Sequence, residues 1–445
     1  MAWDRARALE LILGAEGLQM RRNTNLVTVG SLRSARSITL EDDSVRTAGG
    51  ATRLGSSAGA TLVARAAIDY FPTLSTQRTV VWFNDGTIRK DNGSGESWVT
   101  LASGLTVLNA RPMFALGGLE LVNRSRKLFH CDRVNAVQVL AADGATTTTL
   151  ATPPVDWSGA NQPGFLAPHE RWMFGGGNAN DPKRLYRSSG DNHEDYQSTS
   201  FTLSLAGEYE RLVAGLSYKG GLLVWGYPEG VWFVNYDSPD AVATSWKITK
   251  VARPGAAGPY NVVAVEDDVL WISPDGSVHL ISATNATGSA TASDIGYRKL
   301  SSYIPDTLRL ATLDEAQWVY YAQKQKAWLA CYQAGTLIKQ FRLEFDVRRR
   351  SDVGERWTNS DRDVNEALFM RKINEVLVTA MVDNVGQVWE LDRPSRTVAG
   401  SAFAAEWQTN DLDVAGLIFS RPGRKTNGRY IQIEYDPRQS ANLTI

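Results

Sequence analysis

The stretch VVWFNDGTIR at residues 80–89 is the one from which the rest of the sequence is best interpreted. Four apolar residues with high β propensity precede Asn84, Asp85 and Gly86, and a second short run follows them. Asn, Asp and Gly tolerate the positive φ angles of a tight hairpin turn. The stretch therefore predicts two antiparallel strands joined by a short turn.

The same unit recurs along the chain: an apolar run, a polar or glycine-containing turn, and a second apolar run. Its copies occupy residues 80–89, 119–130, 171–187, 222–234, 269–281, 318–330 and 376–391. Neighbouring copies begin roughly 40 to 60 residues apart, which is enough for a four-stranded sheet each and is the range of propeller blades.

An isolated four-stranded sheet leaves both of its faces unburied. Stacking about seven such sheets around an axis covers those faces and leaves only short edges exposed. We therefore predict an all-β fold, a β-propeller of about seven blades, with six to eight as the range. Two β-sandwiches in tandem are the alternative, but sandwich turns recur every 8 to 12 residues without a longer period.

The two ends of the chain depart from the repeat. The apolar residues among the first 15 group on one helical face, which predicts a short helix there. We predict that residues 1–60 form an N-terminal arm that closes the ring or forms an interface, and that residues 61–396 form the blades. Residues 397–445 are predicted as a C-terminal β segment, for closure or as an appended element.

That C-terminal segment contains two strand-like runs, at residues 403–408 and 430–435. They flank the polar loop at residues 421–428. The chain then ends at residues 443–445 in strand-like residues rather than in a polar tail.

The composition indicates a folded, near-neutral protein. Of 445 residues, 43% are hydrophobic, and 47 basic against 48 acidic side chains leave a net charge of -1. The two cysteines, Cys131 and Cys331, are far apart and exclude a disulfide framework, which favours folding in a reducing cytosol. No apolar run approaches the roughly 18 residues of a membrane span, and the N-terminus lacks the pattern of an export signal.

Four Asn-x-Ser/Thr tripeptides occur, and without a secretory route we interpret them as chance matches. They begin at Asn92, Asn123, Asn285 and Asn442.

No residue pattern predicts a cofactor or metal site. The glycines at 175–177 lack the Lys and Ser/Thr of a nucleotide loop, so a flexible blade loop is the simpler interpretation. The acidic run at residues 191–195 lacks the spacing of a calcium loop and is interpreted as a solvated loop. The histidines are scattered over different repeats, without a zinc spacing, and His279 is expected to pack within a strand. They are His130, His169, His193 and His279.

Hydrolase signatures are equally incomplete, so we predict no catalytic residues and no enzymatic activity. Residues 90–98 resemble the Asp-box turn of sialidase-type propellers, with Gly93 at the Asp position, and such a box indicates a blade rather than an active site. The segment at residues 93–95 is only a fragment of a nucleophile elbow. The basic run at 348–350 and the acidic turn at 266–268 are interpreted as solvated faces, with a nucleic-acid or partner contact as the alternative.

Several phrases, in order along nearly the whole chain, resemble the β-propeller hub and nozzle proteins of short-tailed bacteriophages. The opening phrases are residues 16–23, 29–32, 35–37 and 45–50, with Val29 in place of a usual proline and Ser37 in place of a usual Asn before the strand. The middle phrases are residues 185–196, 211–216, 221–225, 253–255, 262–263 and 271–276. The closing phrases are residues 386–392 and 407–409.

This resemblance implies a non-enzymatic virion protein that forms a homo-oligomeric ring, commonly a hexamer, below the portal and the head-tail adaptor. The lumen of the ring would give viral DNA transient passage during genome ejection, and its outside would carry tail fibres or other tail proteins. The implied location is the virion tail, after assembly in the host cytoplasm. A near-neutral chain is compatible with DNA sliding past.

A glycan-handling module is the alternative function, either binding or hydrolysing polysaccharide of the host surface. Aromatic side chains at loop tips would stack on sugars, although such residues more often belong to a core or an interface. The candidates are Trp157, Trp246 and Tyr260.

Overall fold

Antiparallel sheets follow one another through most of the computed structural model of the chain. The described residues are 32–41, 44–73, 76–91, 97–120, 125–141, 144–190, 192–196, 202–205, 207, 209–236, 246–283, 290–295, 300, 303–349, 356–360, 366–373, 376–393, 397–398, 401–402 and 406–409. The predicted N-terminal helix, the apolar run at 430–435 and the chain end lie outside them. In this part of the chain, helical structure comprises α1 (Tyr303–Thr307) and three short 3₁₀ turns.

Four short strands precede the first complete sheet, six four-stranded sheets follow in chain order, and a seventh blade combines three later strands with the last of the leading four. The leading strands are β1 (Leu32–Arg36), β2 (Ile38–Glu41), β3 (Ser44–Thr47) and β4 (Gly50–Leu54). Blade 1 contains β5 (Ala64–Thr73), β6 (Thr76–Phe83), β7 (Ile88–Asp91) and β8 (Trp98–Ala102). Blade 2 contains β9 (Met113–Glu120), β10 (Ser125–Cys131), β11 (Gln138–Leu140) and β12 (Thr147–Thr149). Blade 3 contains β13 (Phe165–His169), β14 (Trp172–Gly176), β15 (Arg184–Arg187) and β16 (Thr202–Ser204).

The remaining blades repeat this meander. Blade 4 contains β17 (Arg211–Tyr218), β18 (Gly221–Tyr227), β19 (Glu229–Tyr236) and β20 (Trp246–Pro254). Blade 5 contains β21 (Val262–Val265), β22 (Asp268–Ile272), β23 (Val278–Ala283) and β24 (Ala290–Asp294). Blade 6 contains β25 (Gln317–Tyr321), β26 (Lys326–Cys331), β27 (Phe341–Asp346) and β28 (Trp357–Ser360). Blade 7 contains β29 (Ala367–Ile373), β30 (Val376–Val382) and β31 (Val388–Arg393), and the chain continues through β32 (Thr397–Val398), β33 (Ser401–Ala402) and β34 (Glu406–Thr409).

The ring is closed by a strand from the opposite end of the chain. β4 pairs antiparallel with β31 and so supplies the fourth strand of blade 7. β32 then adds to β4 in parallel, with Val398 opposite Ala51. β4 lies within the 1–60 segment for which the sequence predicted closure or an interface, so strands from both ends of the chain complete this sheet.

The core is divided among the contacts between adjacent blades, which we call seams. Seven buried hydrophobic clusters occur in the described residues, one at each seam, including the seam between blades 7 and 1. The second strands contribute to two seams at once: Val269 and Trp271 of β22 face blade 4, whereas Leu270 and Ile272 face blade 6. Both faces of these strands are buried, which explains why their sequences are continuously apolar. The chain is a seven-bladed β-propeller, as predicted, and not a pair of sandwiches.

The structure shows that two of the predicted hairpins occupy a different position within their blades from the other five. Five of the predicted hairpins join the second and third strands of a blade, but those at 119–130 and 318–330 join the first and second. Counted from equivalent second strands, successive blades begin about 47 to 58 residues apart, more evenly than the predicted units. These strands begin at Thr76, Ser125, Trp172, Gly221, Asp268, Lys326 and Val376.

The segments next to the closing strand pack on blade 6. β2 and β3 form a hairpin whose Ile38 joins the cluster between blades 5 and 6. β1 pairs antiparallel with β34, so the two ends of the described chain form one small sheet.

Candidate functional site

A cluster of charged residues lies near the axis, at the end of the propeller where the first, inner strand of each blade begins. We call this end the mouth face. A small cleft opens there, lined by residues of blades 1, 2, 5 and 6 and of the loops that precede them. This axial cleft is defined by Arg65, Ala110, Arg111, Pro112, Pro259, Tyr260, Asp314, Glu315 and Gln317.

Ion pairs cross the axis inside the cleft. The Arg65 guanidinium donates to Glu315 at 2.6 Å, which joins blade 1 to the loop before blade 6. Arg111 pairs with Asp314, and its Nη1 lies 3.6 Å from Glu315. Tyr332 donates to Glu315 at 3.1 Å. The charged side chains therefore bridge blades that are not neighbours, and they occupy the axis at this level.

The environment keeps Glu315 ionised. Burial alone raises the pKa of its carboxyl group, but Lys339, Arg65 and Arg111 outweigh that effect and hold the pKa below its ordinary value. The same two arginines are held in place by Glu315. The cluster is thus an electrostatic unit rather than a set of independent surface pairs.

Uncharged side chains complete the cross-ring contacts. The buried Gln317 donates to the Arg65 carbonyl at 3.0 Å and accepts from the Leu368 backbone N–H at 2.7 Å. It therefore links blades 1, 6 and 7. Tyr260 of the loop before blade 5 accepts from the backbone N–H of Phe114 in blade 2 at 2.8 Å.

Lys339 extends the unit into the seam between blades 6 and 7. Its ammonium group donates to the Glu366 carbonyl at 2.9 Å, and its backbone N–H donates to the Glu366 carboxylate at 3.1 Å. Burial lowers the pKa of Lys339 and raises that of Glu366. A buried lysine with these partners fixes how the loop before β29 lies against blade 6.

A second polar network joins the N-terminal hairpin to blade 6. Lys326, almost completely buried, donates to Glu344 at 2.7 Å and also to Thr39 of β2. Thr39 in turn donates to Glu344 at 2.7 Å, and Thr358 does so at 3.3 Å. This network is structural in position, because it lies beneath the hairpin and away from the axial cleft.

The histidines occupy separate environments in blades 2, 3 and 5. His130 packs between Trp82 and Phe114, and burial lowers its pKa to about 4. His169 bonds Ser217 at 2.8 Å, and His193 lies 3.2 Å from the Arg171 carbonyl. His279 lies within β23, as predicted, and stacks on Trp271 at 5.0 Å. Within the described residues, no three His, Cys, Asp or Glu side chains group closely enough to hold a metal ion.

The prediction of a flexible loop for the glycines at 175–177 is wrong. Gly175 and Gly176 belong to β14, and Gly177 follows it with φ +77°. A Cβ on Gly175 would lie 2.8 Å from the Trp157 ring, and one on Gly177 would lie 2.2 Å from the Leu212 carbonyl oxygen. The glycines therefore permit close packing against a buried tryptophan and the next blade.

The other charged runs are tied to the fold. In the acidic run, Glu194 pairs with Lys127 and Asp195 accepts from Ser189 at 3.1 Å; Asp191 lies outside the described residues. Glu266 accepts from Gln325 of blade 6 at 2.9 Å. Arg348 donates to Asp346 through two nitrogens, at 3.0 and 2.9 Å. The central residues of the Asp-box-like turn, 92–96, with the elbow fragment, lie outside the described residues.

The aromatic candidates for sugar stacking are not exposed platforms. Trp157 and Trp246 are 3% and 8% exposed and belong to seam clusters. Tyr260 is half-buried in the axial cleft. These three residues therefore give no support to the glycan alternative.

Sequence reasoning did not single out the charged residues of the axial cleft. They come from loops more than 200 residues apart, such as Arg111 and Asp314, which are 203 positions apart. One signal existed: a charged residue stands within three positions of the start of several inner strands. That signal can be used only after the inner strands have been located. Only two of the predicted hairpins, 119–130 and 318–330, included an inner strand.

No family model and no curated protein matches the chain. Similar solved structures include one described as BBS1N in complex with ARL6DN, at 9% identity and a TM-score of 0.48, covering 76% of this chain and 94% of that one. YCF48 from Cyanidioschyzon merolae is 10% identical with a TM-score of 0.47, covering 78% and 99%. PorZ of Porphyromonas gingivalis is 10% identical with a TM-score of 0.44, covering 82% and 40%. Likeness at this level carries no functional argument. Among the described residues, no helix is long and apolar enough to cross a membrane.

Proposed function

We propose that this propeller is a structural, non-enzymatic subunit of a bacteriophage tail, a hub or nozzle protein. Copies of the chain assemble into a ring, six by the family resemblance, below the portal or adaptor. The ring conducts the genome through the lumen between copies and anchors fibres or other tail proteins. The protein is placed in the virion tail after assembly in the host cytoplasm.

The distribution of exposed aliphatic side chains supports an assembly surface. Four of the large exposed hydrophobic residues lie in loops of the mouth face. These loops either connect one blade to the next or join the second and third strands of a blade. They are Leu108, Val155, Leu310 and Leu337, at 76%, 86%, 37% and 83% exposure. Single exposed aliphatic residues are ordinary, but several on one face indicate a contact surface. We assign this surface to the adjacent copy in the ring.

The resemblance also motivates the proposal, and most of its phrases fall on strands of the blades. Those in the middle of the chain coincide with β15, β17, β18, β21 and β22, and those at the end with β31 and β34.

The axial cleft affects where DNA could pass. Ion pairs occupy the axis at the mouth face, so we assign the conduit to the lumen of the ring and not to the propeller axis.

Mass photometry and negative-stain imaging of the purified full chain, alone and with candidate portal or adaptor rings, test the proposal. A species at six times the monomer mass, with ring-shaped images, is expected. A chain that stays monomeric and binds neither ring would contradict it.

A matched pair of variants tests the assigned surface. Substituting Leu108→Ser, Val155→Ser and Leu337→Ser together should weaken ring formation at least tenfold, because apolar contact area is lost. Leu377→Ser with Val99→Ser removes aliphatic residues of 49% and 44% exposure from other parts of the surface and should leave the ring intact. Equal effects of the two sets would refute the assignment.

A further inference from the structure

Four arginines from three blades gather at the mouth face. Arg65 and Arg111 line the axial cleft, where Glu315 and Asp314 pair with them. Arg133 follows the second strand of blade 2, and Arg211 begins the inner strand of blade 4. The two carboxylates that line the cleft therefore pair with Arg65 and Arg111, and Arg133 and Arg211 lie outside its lining.

Arg133 is the residue without a partner. Its guanidinium makes no hydrogen bond and no ion pair within the described part of the chain, although its Nε is buried. It lies against the start of β13: a Cβ on Gly164 would be 3.4 Å from that Nε. A buried donor without an acceptor is costly, so an acceptor supplied from outside the chain would stabilise this arrangement.

The backbone holds Arg133 in a conformation that arginine rarely adopts. Its φ is +74°, in the left-handed region. The cause is Asp132, whose carboxylate accepts from the backbone N–H groups of Val134 and Asn135, at 3.0 and 2.7 Å. Strained residues of this kind cluster at ligand sites, where surrounding structure fixes a side chain in advance. Asp132 therefore fixes the backbone conformation at Arg133 and does not pair with its guanidinium group.

The electrostatics agree with this geometry. Burial lowers the pKa of Arg133 to about 10, and repulsion from Arg211 and Arg111 contributes, while attraction by Asp314 only partly compensates. Arg211 has a single weak ion pair, 3.7 Å from the exposed Glu210, and its guanidinium lies over the Tyr227 ring at 4.5 Å. An added negative charge would relieve repulsion among the three arginines.

The chemistry of the arginine side chains limits the ligand. Guanidinium groups suit phosphate and carboxylate oxygens because their N–H groups form a planar fork.

The backbone N–H of Arg111 donates to the carbonyl oxygen of Asp132 at 3.0 Å, which places Arg133 next to Arg111 at the edge of the axial cleft. We propose that this cluster of arginines beside the cleft binds a small oxyanion, a phosphate or a carboxylate group, with Arg133 as its main ligand and Arg111 and Arg211 beside it. The group is either a free anion or the acidic side chain of a protein segment. All of these arginines belong to one propeller, so anion binding can be measured whether or not the chain assembles into a ring.

Binding is measured on the full chain by calorimetry and thermal shift, with inorganic phosphate, with a short peptide rich in Asp and Glu, and with chloride at matched ionic strength. Arg133→Asn removes the charge while asparagine tolerates the positive φ. Arg133→Lys retains the charge but loses the fork, and Arg253→Gln, at a side chain 80% exposed, controls for net charge.

Phosphate or the peptide should raise the unfolding temperature of the native chain and bind at least tenfold more weakly to Arg133→Asn, with Arg133→Lys intermediate and Arg253→Gln unchanged. Without anion, Arg133→Asn should be as stable as the native chain, which a merely structural arginine would not allow. Saturation by phosphate with no competition from the peptide identifies a free anion, whereas peptide binding that phosphate competes away identifies an acidic segment. Binding of neither probe above chloride, or equal binding to the native chain and Arg133→Asn, would overturn the proposal.

Discussion

Replacing Lys326 by methionine should be among the most damaging single substitutions outside the apolar clusters. Lys326 is 2% exposed, and its ammonium group lies 2.7 Å from the Glu344 carboxylate. The substitution keeps most of the side-chain volume but leaves Glu344 buried without its closest cation. Thr39 loses one of its two partners in the same network, so the N-terminal hairpin is weakened as well.

The magnitude follows from the burial of the pair. Breaking a buried ion pair by removing one partner costs about 3 to 5 kcal/mol, because the remaining charge is uncompensated. Arg342 still attracts Glu344, so we expect the lower end, about 3 kcal/mol. Replacing both residues, Lys326→Met with Glu344→Leu, removes the buried charges together and should recover most of the lost stability.

Urea unfolding followed by tryptophan fluorescence measures these free energies, and proton linkage gives an independent check. Lys326 and its neighbours hold the pKa of Glu344 below its ordinary value of 4.5 against the effect of burial. The resulting stabilisation is therefore fully present above about pH 5 and is lost as the pH falls through the lowered pKa. In Lys326→Met the pKa of Glu344 rises, so acidification should cost the variant less stability than the native chain, because protonation neutralises the uncompensated carboxylate.

Two results would refute this reasoning. One is a cost below about 1 kcal/mol for Lys326→Met, the value of an exposed pair. The other is a double variant no more stable than the single variant, which would mean that the charge left on Glu344 is not the source of the loss.

Three further predictions concern backbone strain, protonation and ring closure. Gly177→Ala should lower the free energy of unfolding in urea by about 3 kcal/mol, because φ is +77° and the added Cβ would lie 2.2 Å from a backbone oxygen. Gly104→Ala is the control: φ is +76° but the space is open, so the cost should be about 1 kcal/mol. Because the folded pKa of His130 is about 4, below its unfolded value, stability should fall by up to about 3 kcal/mol from pH 6.5 to pH 4; His130→Phe should flatten that dependence in calorimetry. Ala51→Asp, at a 2% exposed position of the closing strand, should cost about 3 kcal/mol and speed hydrogen exchange in blade 7, while Thr52→Asp on its exposed side should change little.

The blade architecture was predictable because the second and third strands are short, apolar and joined by turns of distinctive composition. Val269 to Ile272 illustrate why the signal is strong: alternate residues serve opposite seams, so every position is apolar. Which strands of a blade each hairpin joins was harder to predict. At 119–130 and 318–330 the inner strand has the same apolar character as a second strand, and nothing in the composition of the turn separates the two.

The glycines at 175–177 show a different limit. Local sequence marks them as a loop, yet the groups that exclude a side chain there, the Trp157 ring beside Gly175 and the Leu212 carbonyl beside Gly177, come close only in the folded structure. Ser37 is a similar case at the chain end. It has φ +54° at a buried position where the resembling family usually carries Asn, a residue that tolerates such angles better.

Closure and the axial cleft are built on different parts of the ring, which makes them separable by experiment. The closing strand β4 is stabilised by strand pairing at the outside of blade 7, and the Lys326 network by a buried ion pair between β26 and β27 beneath the N-terminal hairpin. The arginines lie at the axis on strand beginnings and loops, where ion pairs already span the ring through Glu315. A substitution at Ala51 should therefore lower stability without changing the relative affinity for oxyanions of the molecules that remain folded. Conversely, Arg133→Asn should change affinity without opening blade 7. Loss of both properties from either substitution would show that the ring transmits strain from its edge to its axis, and that the seven seams do not act as independent contacts.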